Sequence, residues 1–387
     1  MKVTQVYEIL NTITQEILGD SVVVNEDLSN VVDIGKAFAN LDGAVDNYVR
    51  KLHDHIGKMV FVDRVYTGRA PSVVMDAWEF GSILEKVRAT MPEAEENESW
   101  ELEDRTSYDP NIFYKPGISV KFFNNRVTFE VPISLTEKQV MSSFDNATQL
   151  NALYSMIQTA ISNTMTVKLD ALIMRTINSG IGETLHNEFP NGTYTGVSGV
   201  KAVNLLYLYN QHVGEGNTIT VEQSRHNKDF IRFACAVLGN YVDRLSVMST
   251  LFNIGATEKF TSRDRLHVLM LSEFKNDADV YLQSDTYHDE YTKFPEAEPI
   301  VYWQGSGTDY SFDSTSAINI VTPSGDTVNA KGILAVMFDR DSLGVSNVDR
   351  RVTTNYNPKG EFWNEWHKYD AGYFLDLDEN FVVFYVA

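Results

Sequence analysis

The chain has little of three things: cysteine, positive charge and long apolar runs. Its 387 residues include one cysteine, and 32 Lys and Arg stand against 53 Asp and Glu, a formal net charge of −21. With a single thiol an intrachain disulfide framework is excluded, and a reducing, cytosolic setting is expected. That thiol, Cys235, lies in the apolar run FACAV, which predicts a buried small hydrophobe instead of a reactive group.

The shortage of positive charge argues against one class of partner. A strongly acidic surface repels phosphate backbones, so non-specific binding of nucleic acid through counterion release is not expected. No stretch reaches the roughly 18 apolar residues that a membrane span needs. The N-terminus, MKVTQVYEIL, also lacks the apolar segment of a signal peptide. We therefore expect no membrane partner.

Sequence signatures of catalysis and of cofactor binding are missing as well. The chain contains no Gly-rich phosphate loop, no dinucleotide fingerprint, no G-x-S-x-G and no H-E-x-x-H. A carboxylate pair for hydrolysis needs no sequence signature, but a solvated acidic face is the commoner outcome for so many acids. The sequence therefore predicts no catalytic residue, no metal site and no cofactor.

Two acidic stretches resemble calcium loops but fail the positional test. Residues 338–351 read FDRDSLGVSNVDRR, and a loop counted from Asp339 has Arg350 at position 12. An EF-hand needs a bidentate Glu there. In the second stretch, DLDEN, a loop counted from Asp376 has Phe381 at position 6, where the turn requires Gly.

Hydrophobic periodicity predicts a mixed α+β chain with two or more subdomains. Amphipathic patterns over residues 1–19 and 34–56 predict N-terminal helices. The run AWEFGSILEKVRATM, residues 77–91, predicts a short helix that ends before Pro92. Residues 98–131, acidic and aromatic at first and then a clear strand, predict a long two-stranded projection. Because an isolated hairpin is marginally stable in water, its aromatics need a surface on their own domain or on a neighbour.

A long helix is predicted in the middle of the chain. Ser134 and Glu137 form a capping-box pattern, S-L-T-E, and Asp145 or Asn146 offers a second N-cap. From there apolar residues continue to Ile177, which predicts a helix of about 30 residues. Its apolar stripe drifts around the helix, as expected for a spine packed on several elements. The Gly- and Asn-rich segment that follows predicts a link into a new subdomain.

The order of these parts carries a family resemblance. The strand VKFFNNRVTFEVPIS precedes the long helix, and the chain returns at its end through ILAVMFDRDSLGV and DLDENFVVF. This resembles the major capsid protein of tailed, Caudovirales-type bacteriophages, with the Hong Kong ninety-seven-type fold. The resemblance implies an α+β subunit with the following parts: an N-terminal helical arm (1–57), a P-domain entry (58–97), an E-loop-like projecting hairpin (98–131), a P-domain with a spine helix (132–195), an A-domain (196–332) and a return to the P-domain (333–387).

The resemblance implies a structural protein and not an enzyme. Its subunits would self-assemble as pentamers and hexamers into the icosahedral capsid of a virion, enclosing double-stranded DNA without sequence-specific binding. A portal is implied, and the start at Met1 leaves little room for a cleaved scaffolding segment, so a separate scaffolding protein and assembly in the host cytoplasm are expected. The candidate assembly residues are the aromatics of the projection and the charged residues of 338–351, interpreted as an ion-pair network: Trp100, Tyr108, Phe113, Tyr114, Asp339, Arg340, Asp341, Asp349, Arg350 and Arg351.

Other interpretations stay open from sequence. An encapsulin-type compartment shares this fold but encloses proteins, and encapsulins are usually shorter than this chain. An acidic cytosolic α+β hydrolase is the alternative from a different class. For the charged residues of 338–351, the alternative to an interface is a solvated turn without a partner.

Overall fold

The computed structural model describes residues 69–75, 84–92, 100–108, 113–136, 147–283, 297–304, 311–323 and 325–387, with single residues at 11, 14, 15, 94, 97, 111 and 138. The predicted N-terminal helices, and with them nearly all of the predicted arm, lie outside these residues.

The described part of the chain is α+β, as predicted. Its helices are α1 (Ala147–Glu188), α2 (Leu205–Val213), α3 (Val221–Ser224), α4 (Lys228–Leu245), α5 (Ser272–Gln283) and α6 (Phe312–Thr315), with a short 3-10 helix at Pro71–Val73. Its strands are β1 (Val74–Met75), β2 (Leu84–Ala89), β3 (Ile118–Phe123), β4 (Asn125–Thr136), β5 (Ala202–Asn204), β6 (Leu266–Leu271), β7 (Glu298–Ile300), β8 (Ile318–Val321), β9 (Thr327–Ala330), β10 (Ile333–Asp339), β11 (Leu343–Asn357), β12 (Phe362–Leu375) and β13 (Phe381–Tyr385).

These strands form two larger sheets and two ribbons. The four-stranded sheet has the order β1-β11-β12-β4, with β11, β12 and β4 antiparallel and β1 added in parallel. The five-stranded sheet has the order β5-β13-β10-β6-β7, antiparallel at its centre and parallel at both edges. The ribbons are β2-β3 and β8-β9, both antiparallel.

Besides the long connection from β4 through α1 to β5, the chain crosses between the two larger sheets at two short turns that lie next to each other. One crossing is the turn 340–342 between β10 and β11, and the other is the turn 376–380 between β12 and β13. The two crossings are hydrogen-bonded to each other. The backbone N–H of Asp339 donates to the carbonyl of Asn380 (3.0 Å), and that of Asp376 donates to the carbonyl of Ser342 (2.6 Å).

The core centres on the five-stranded sheet. Every residue of β10 (ILAVMFD) and of β13 (FVVFY) is buried, as expected for central strands covered on both faces. Trp303 is fully buried beside them, and its indole N–H donates to the carbonyl of Ile333 (2.9 Å). The C-terminal apolar run is therefore a central strand of the subunit.

The long helix α1 is the predicted spine, and it is longer than the sequence suggested. It spans 42 residues and packs against both larger sheets and the β8-β9 ribbon. The predicted link after Ile177 was wrong, because the helix runs through Gly180 and Gly182 to Glu188. A Cβ at Gly180 would lie 2.8 Å from the ring of Phe381, so that glycine permits close packing of helix on strand.

Two other local predictions are also corrected. Residues 84–89, predicted as helix, form strand β2, in which half-buried and exposed side chains alternate. Ser134 does not cap a helix: it lies in β4, and its hydroxyl donates to the amide oxygen of Asn364 on β12 (2.6 Å). Pro132 fits in β4 because β4 forms an edge of its sheet among the described strands.

The projection is built differently from the predicted hairpin. Strand β3 pairs with β2, which lies earlier in the chain, while β4 pairs with β12 in the four-stranded sheet. The β2-β3 ribbon thus spans 84–123, with residues 90–117 as its connection.

Arg69, the first residue of the range 69–75, connects this segment to α1. Its Nε donates to Oδ2 of Asp170 (2.6 Å), its backbone N–H donates to Oδ1 (2.9 Å), and its guanidinium stacks over the ring of Tyr302 at 4.4 Å. Its Nη2 also lies 2.6 Å from Oδ2, so two nitrogens of the planar guanidinium contact the carboxylate, an arrangement that suits arginine.

Candidate assembly surface

The four predicted aromatics lie in the connection of the β2-β3 ribbon, and all four are exposed. Trp100 is 96% exposed and Phe113 is 83% exposed, while Tyr108 and Tyr114 have lower exposed fractions. The hydroxyl of Tyr108 accepts the backbone N–H of Glu103 (3.2 Å), so this aromatic is fixed locally. The exposure of the four aromatics agrees with the predicted projection, and their role in assembly stays a prediction.

The ribbon itself carries a further apolar surface that the sequence reasoning missed. Val87 of β2 lies opposite Val120 of β3, and Ile118 and Phe122 continue the same face. All four are exposed, Val87 by 62% and Phe122 by 64%. We call these four residues the ribbon face. The signal in the sequence was the alternation of the strand, which the helix prediction obscured.

The opposite side of the ribbon is cationic. Lys86 and Lys121 are cross-strand partners, and Arg88 lies two residues along β2 on the same side. Like charges directly opposite each other destabilise a sheet unless they are compensated. Here they are compensated by carboxylates from the crossing between β12 and β13.

These carboxylates belong to Asp376, Asp378 and Glu379, which we call the acidic turn. Asp376 is the centre: its side chain is fully buried. Lys86 Nζ lies 3.1 Å from its Oδ2, Lys121 Nζ lies 3.2 Å from its Oδ1, and Arg88 also donates to it. The acidic turn therefore holds both strands of the ribbon.

Arg88 joins the remaining two acids of the turn. Its Nη1 lies 3.2 Å from Asp378 Oδ2 and its Nη2 lies 2.5 Å from Glu379 Oε1. Lys121 pairs with Asp378 as well. Lys86 reaches the other crossing, donating to the carbonyl of Asp341. Charge-assisted hydrogen bonds of this kind are about twice as strong as neutral ones.

The electrostatics of the cluster favour the charged forms. Burial alone would raise the pKa of Asp376, but the ammonium of Lys86 and the guanidinium of Arg88 outweigh it, so its pKa lies below the ordinary value. Burial alone would lower the pKa of Lys121, but its bonds to Asp378 and Asp376 outweigh it and raise the pKa. We call the cluster of Lys86, Arg88, Lys121 and the acidic turn the ionic clamp, because its ion pairs hold the ribbon against the subunit.

The charged residues of 338–351 divide into two groups within the subunit. In the first, Asp339 is buried; its Oδ2 accepts the hydroxyl of Thr261 (2.8 Å) and its Oδ1 accepts the backbone N–H of Asp341 (2.9 Å). Asp341 pairs with Arg265. The side chain of Arg340 is exposed. Asp339 therefore braces the turn between the sheets.

The second group lies farther along, on β11. Arg351 pairs with Asp370 of β12 and lies 3.1 Å from Asp349. Arg350 stacks over the ring of Tyr369, 4.6 Å from its centroid. Burial alone would raise the pKa of Asp370, but its hydrogen bond from Arg351 outweighs it and keeps the pKa below the ordinary value. The predicted single network is thus two separate clusters within one chain, and an interface role for either stays a prediction.

The remaining candidates for a functional site are the single thiol, a metal site and a membrane-spanning helix. Cys235 is half-buried, and burial raises its pKa to about 12. Among the described residues, no group of three or more His, Cys, Asp or Glu side chains is arranged to hold a metal ion. Within the same residues, each helix is too short or too polar to span a bilayer.

Comparison with known proteins places these surfaces in context. The family model described as "Phi29-like phage major capsid protein" matches residues 10–385. No curated protein matches the sequence. Among solved structures, the capsid of Staphylococcus phage Andhra is similar over 84% of this chain and 86% of its own, at 10% identity and a TM-score of 0.48.

Two further solved structures are similar over the same share of the chain. A structure from Microbacterium phage Oxtober96 covers 84% of this chain and 93% of its own at 10% identity, with a TM-score of 0.44. The mature capsid of bacteriophage PhiM1 covers 84% and 89% at 8% identity, with a TM-score of 0.42. The family match, and not these distant likenesses, carries the assignment.

Proposed function

The chain belongs to the family of Phi29-like phage major capsid proteins, and from this premise we propose that its pentamers and hexamers close an icosahedral shell around a double-stranded DNA genome. The family match confirms the predicted capsid family, whose members are structural components of virions. Assembly in the host cytoplasm is part of the same proposal.

The observation that carries the proposal is the two-sided ribbon. Its cationic side is held by the acidic turn of its own subunit, so the ribbon face is turned outward and stays exposed. Burying a Val or Phe side chain completely contributes about 1.5–3 kcal/mol, so covering these partly exposed ones contributes about 1 kcal/mol each. Repeated around closed rings, such modest contacts yield a stable shell.

We propose that the ribbon face and the aromatics of the ribbon connection lie against a neighbouring subunit. The two charged clusters of 338–351 are secondary candidates. The exposed Arg340 is able to pair with a neighbouring subunit, and Arg351 is able to extend its pairs with Asp349 and Asp370, which would set the register of the contact. The predicted domain division is retained as a proposal, with the projecting element beginning at Leu84 instead of residue 98.

The remaining partners follow from charge and from the family. Each subunit carries a net charge of −21, and a wall of such subunits repels DNA. We therefore propose that the shell encloses DNA without sequence-specific contacts. A separate scaffolding protein and a portal complete the proposed assembly.

Electron microscopy of the overexpressed chain, with and without its scaffolding protein, tests the proposal. Shells or capsomer rings are expected, and a compact monomer under all conditions would contradict it. At residue level, Val87→Asp is expected to abolish shells. Val321→Asp is the matched control, since Val321 is also a strand valine and is 65% exposed on β8. Equal assembly of the two variants would remove the ribbon face from the contact.

A further inference from the structure

The loop between α4 and β6 exposes a second cluster of apolar side chains. Val247, Met248, Leu251 and Phe260 are between 43% and 63% exposed, and we call them the loop patch. Of the other exposed valines outside the ribbon and its connection, Val167 on α1, Val280 on α5, Val301 after β7 and Val321 on β8 lie far apart in the chain, and Val197 and Val200 form a less exposed pair before β5. Dispersed apolar residues are normal on a protein surface, but a cluster marks a contact.

The loop is well ordered by its own bonds. Ser249 and Lys259 form a two-way backbone bridge (2.9 and 3.0 Å), which places Met248 across from Phe260 by register. The side chain of Asn253 closes the turn, donating to the carbonyl of Thr257 (2.7 Å) and accepting its N–H (2.9 Å). The loop patch is therefore displayed by a fixed backbone, which lowers the entropy cost of binding.

The loop and the ribbon share an anchor. Glu379 Oε1 lies 3.4 Å from Lys259 Nζ of the loop and 2.5 Å from Arg88 Nη2 of the ribbon. The hydroxyl of Thr257 also donates to the carbonyl of Asp378 (2.9 Å). Ribbon and loop are thus attached to the same carboxylate of the acidic turn.

We propose that the loop patch is a second part of the subunit contact, covered in the assembled shell by a neighbouring copy of this chain. The proposal rests on the proposed function, because a shell built from copies of one chain brings another copy to an apolar surface beside the ribbon. One rigid block of ribbon, acidic turn and loop then presents both surfaces together. The contact combines the ribbon face, a sheet surface, with the loop patch.

Thiol labelling in assembled shells tests the proposal. Met248→Cys is labelled with a maleimide at pH 8, in the unassembled chain and in shells from which the scaffolding protein has been removed. The native Cys235 contributes little background, since burial raises its pKa to about 12. Labelling of Met248→Cys is expected to be at least about tenfold slower in shells, and dissociation must restore the rate. Leu251→Cys provides a second position if the first variant does not assemble.

Two comparison variants separate the possible failures. Phe122→Cys reports the ribbon face, and Val321→Cys reports an exposed valine outside both surfaces. Unchanged labelling at Met248→Cys with protection at Phe122→Cys would overturn the loop patch and leave the proposed function standing. Equal protection of Val321→Cys would show that the shell slows labelling everywhere, and this would overturn the assignment of the loop patch to a contact. Protection that disappears with the scaffolding protein would assign the patch to that partner, and absence of any shell would overturn the proposed function itself.

Discussion

Replacing Asp376 by Asn should loosen the ribbon from its subunit. The amide keeps the shape of the side chain and an acceptor for the N–H of Asp378, but it removes the charge that faces three cations. The strands β2 and β3 should then open more often, while the core of the subunit remains folded.

The stability lost in Asp376→Asn follows from how deeply the carboxylate and its three cations are buried. Removing one partner of a buried ion pair costs about 3–5 kcal/mol. The cations of the ribbon keep 15–37% of their side-chain exposure, and two other carboxylates of the acidic turn remain. Discounting for solvent screening gives about 2 kcal/mol, which corresponds to about a 30-fold change in an opening equilibrium.

Hydrogen exchange of the β2 and β3 amides in the unassembled chain measures this change. Their protection should fall about 30-fold in Asp376→Asn, with little change in β10 and β13. Asp313→Asn is the matched control, because Asp313 is 78% exposed and lies 3.5 Å from Lys331 in a surface pair that contributes little. Ribbon protection within about threefold of the wild-type value in Asp376→Asn would refute the ionic clamp.

The same clamp should depend on pH at both ends of the scale. The pKa of Asp376 is lowered from 3.8 on folding, so its stabilisation is present above that pH and is lost as the pH falls through the lowered value. The pKa of Lys121 is raised from 10.5, so its stabilisation is present below that pH and is lost as the pH rises through the raised value. A fluorescent probe on the ribbon should therefore show constant attachment of the ribbon at intermediate pH. A signal that drifts in that range would contradict the assignment of the ionic clamp to Asp376 and Lys121.

Three further predictions concern packing and reactivity. Gly180→Ala should lower the free energy of unfolding by about 1–3 kcal/mol, whereas Gly239→Ala, with open space around it in α4, should raise it by up to about 1 kcal/mol; denaturant titrations of both check this. Arg69→Lys should cost about 1–2 kcal/mol in the same assay, because lysine does not reproduce the contact of two guanidinium nitrogens with Asp170 or the stacking over Tyr302. Cys235 should react with a thiol reagent at pH 8 at least about a hundredfold more slowly than free cysteine, and fast labelling of the folded chain would contradict its raised pKa.

Local sequence patterns were sufficient where one periodicity dominates. The predicted long helix is present from Ala147, while the predicted N-caps Asp145 and Asn146 lie outside the described residues. The apolar runs of β10 and β13 are central strands. The helix end was missed because Gly180 was interpreted as a break, although it permits contact with a strand about 200 residues away in the chain. A sequence window contains no information about such a contact.

The ionic clamp also depends on contacts between residues that are far apart in the sequence. Asp376 belongs to the run that fails as a calcium loop, and its partner Lys86 is 290 residues distant in sequence. Residues 84–89 were predicted as helix because the side chains of one face, Lys86 and Arg88, are charged and mark no core. Their role is visible only once the acidic turn lies beneath them. The exposed aromatics, in contrast, were identified from composition alone.

The adjacent crossings between the two larger sheets give the ribbon a root on both sheets. Lys86 binds the carbonyl of Asp341 at one crossing and Asp376 at the other, so the ribbon is attached where the sheets join and to neither sheet alone. The helix α1 packs against both sheets and connects them a second time. A force on the ribbon is therefore passed to both sheets of the subunit at once.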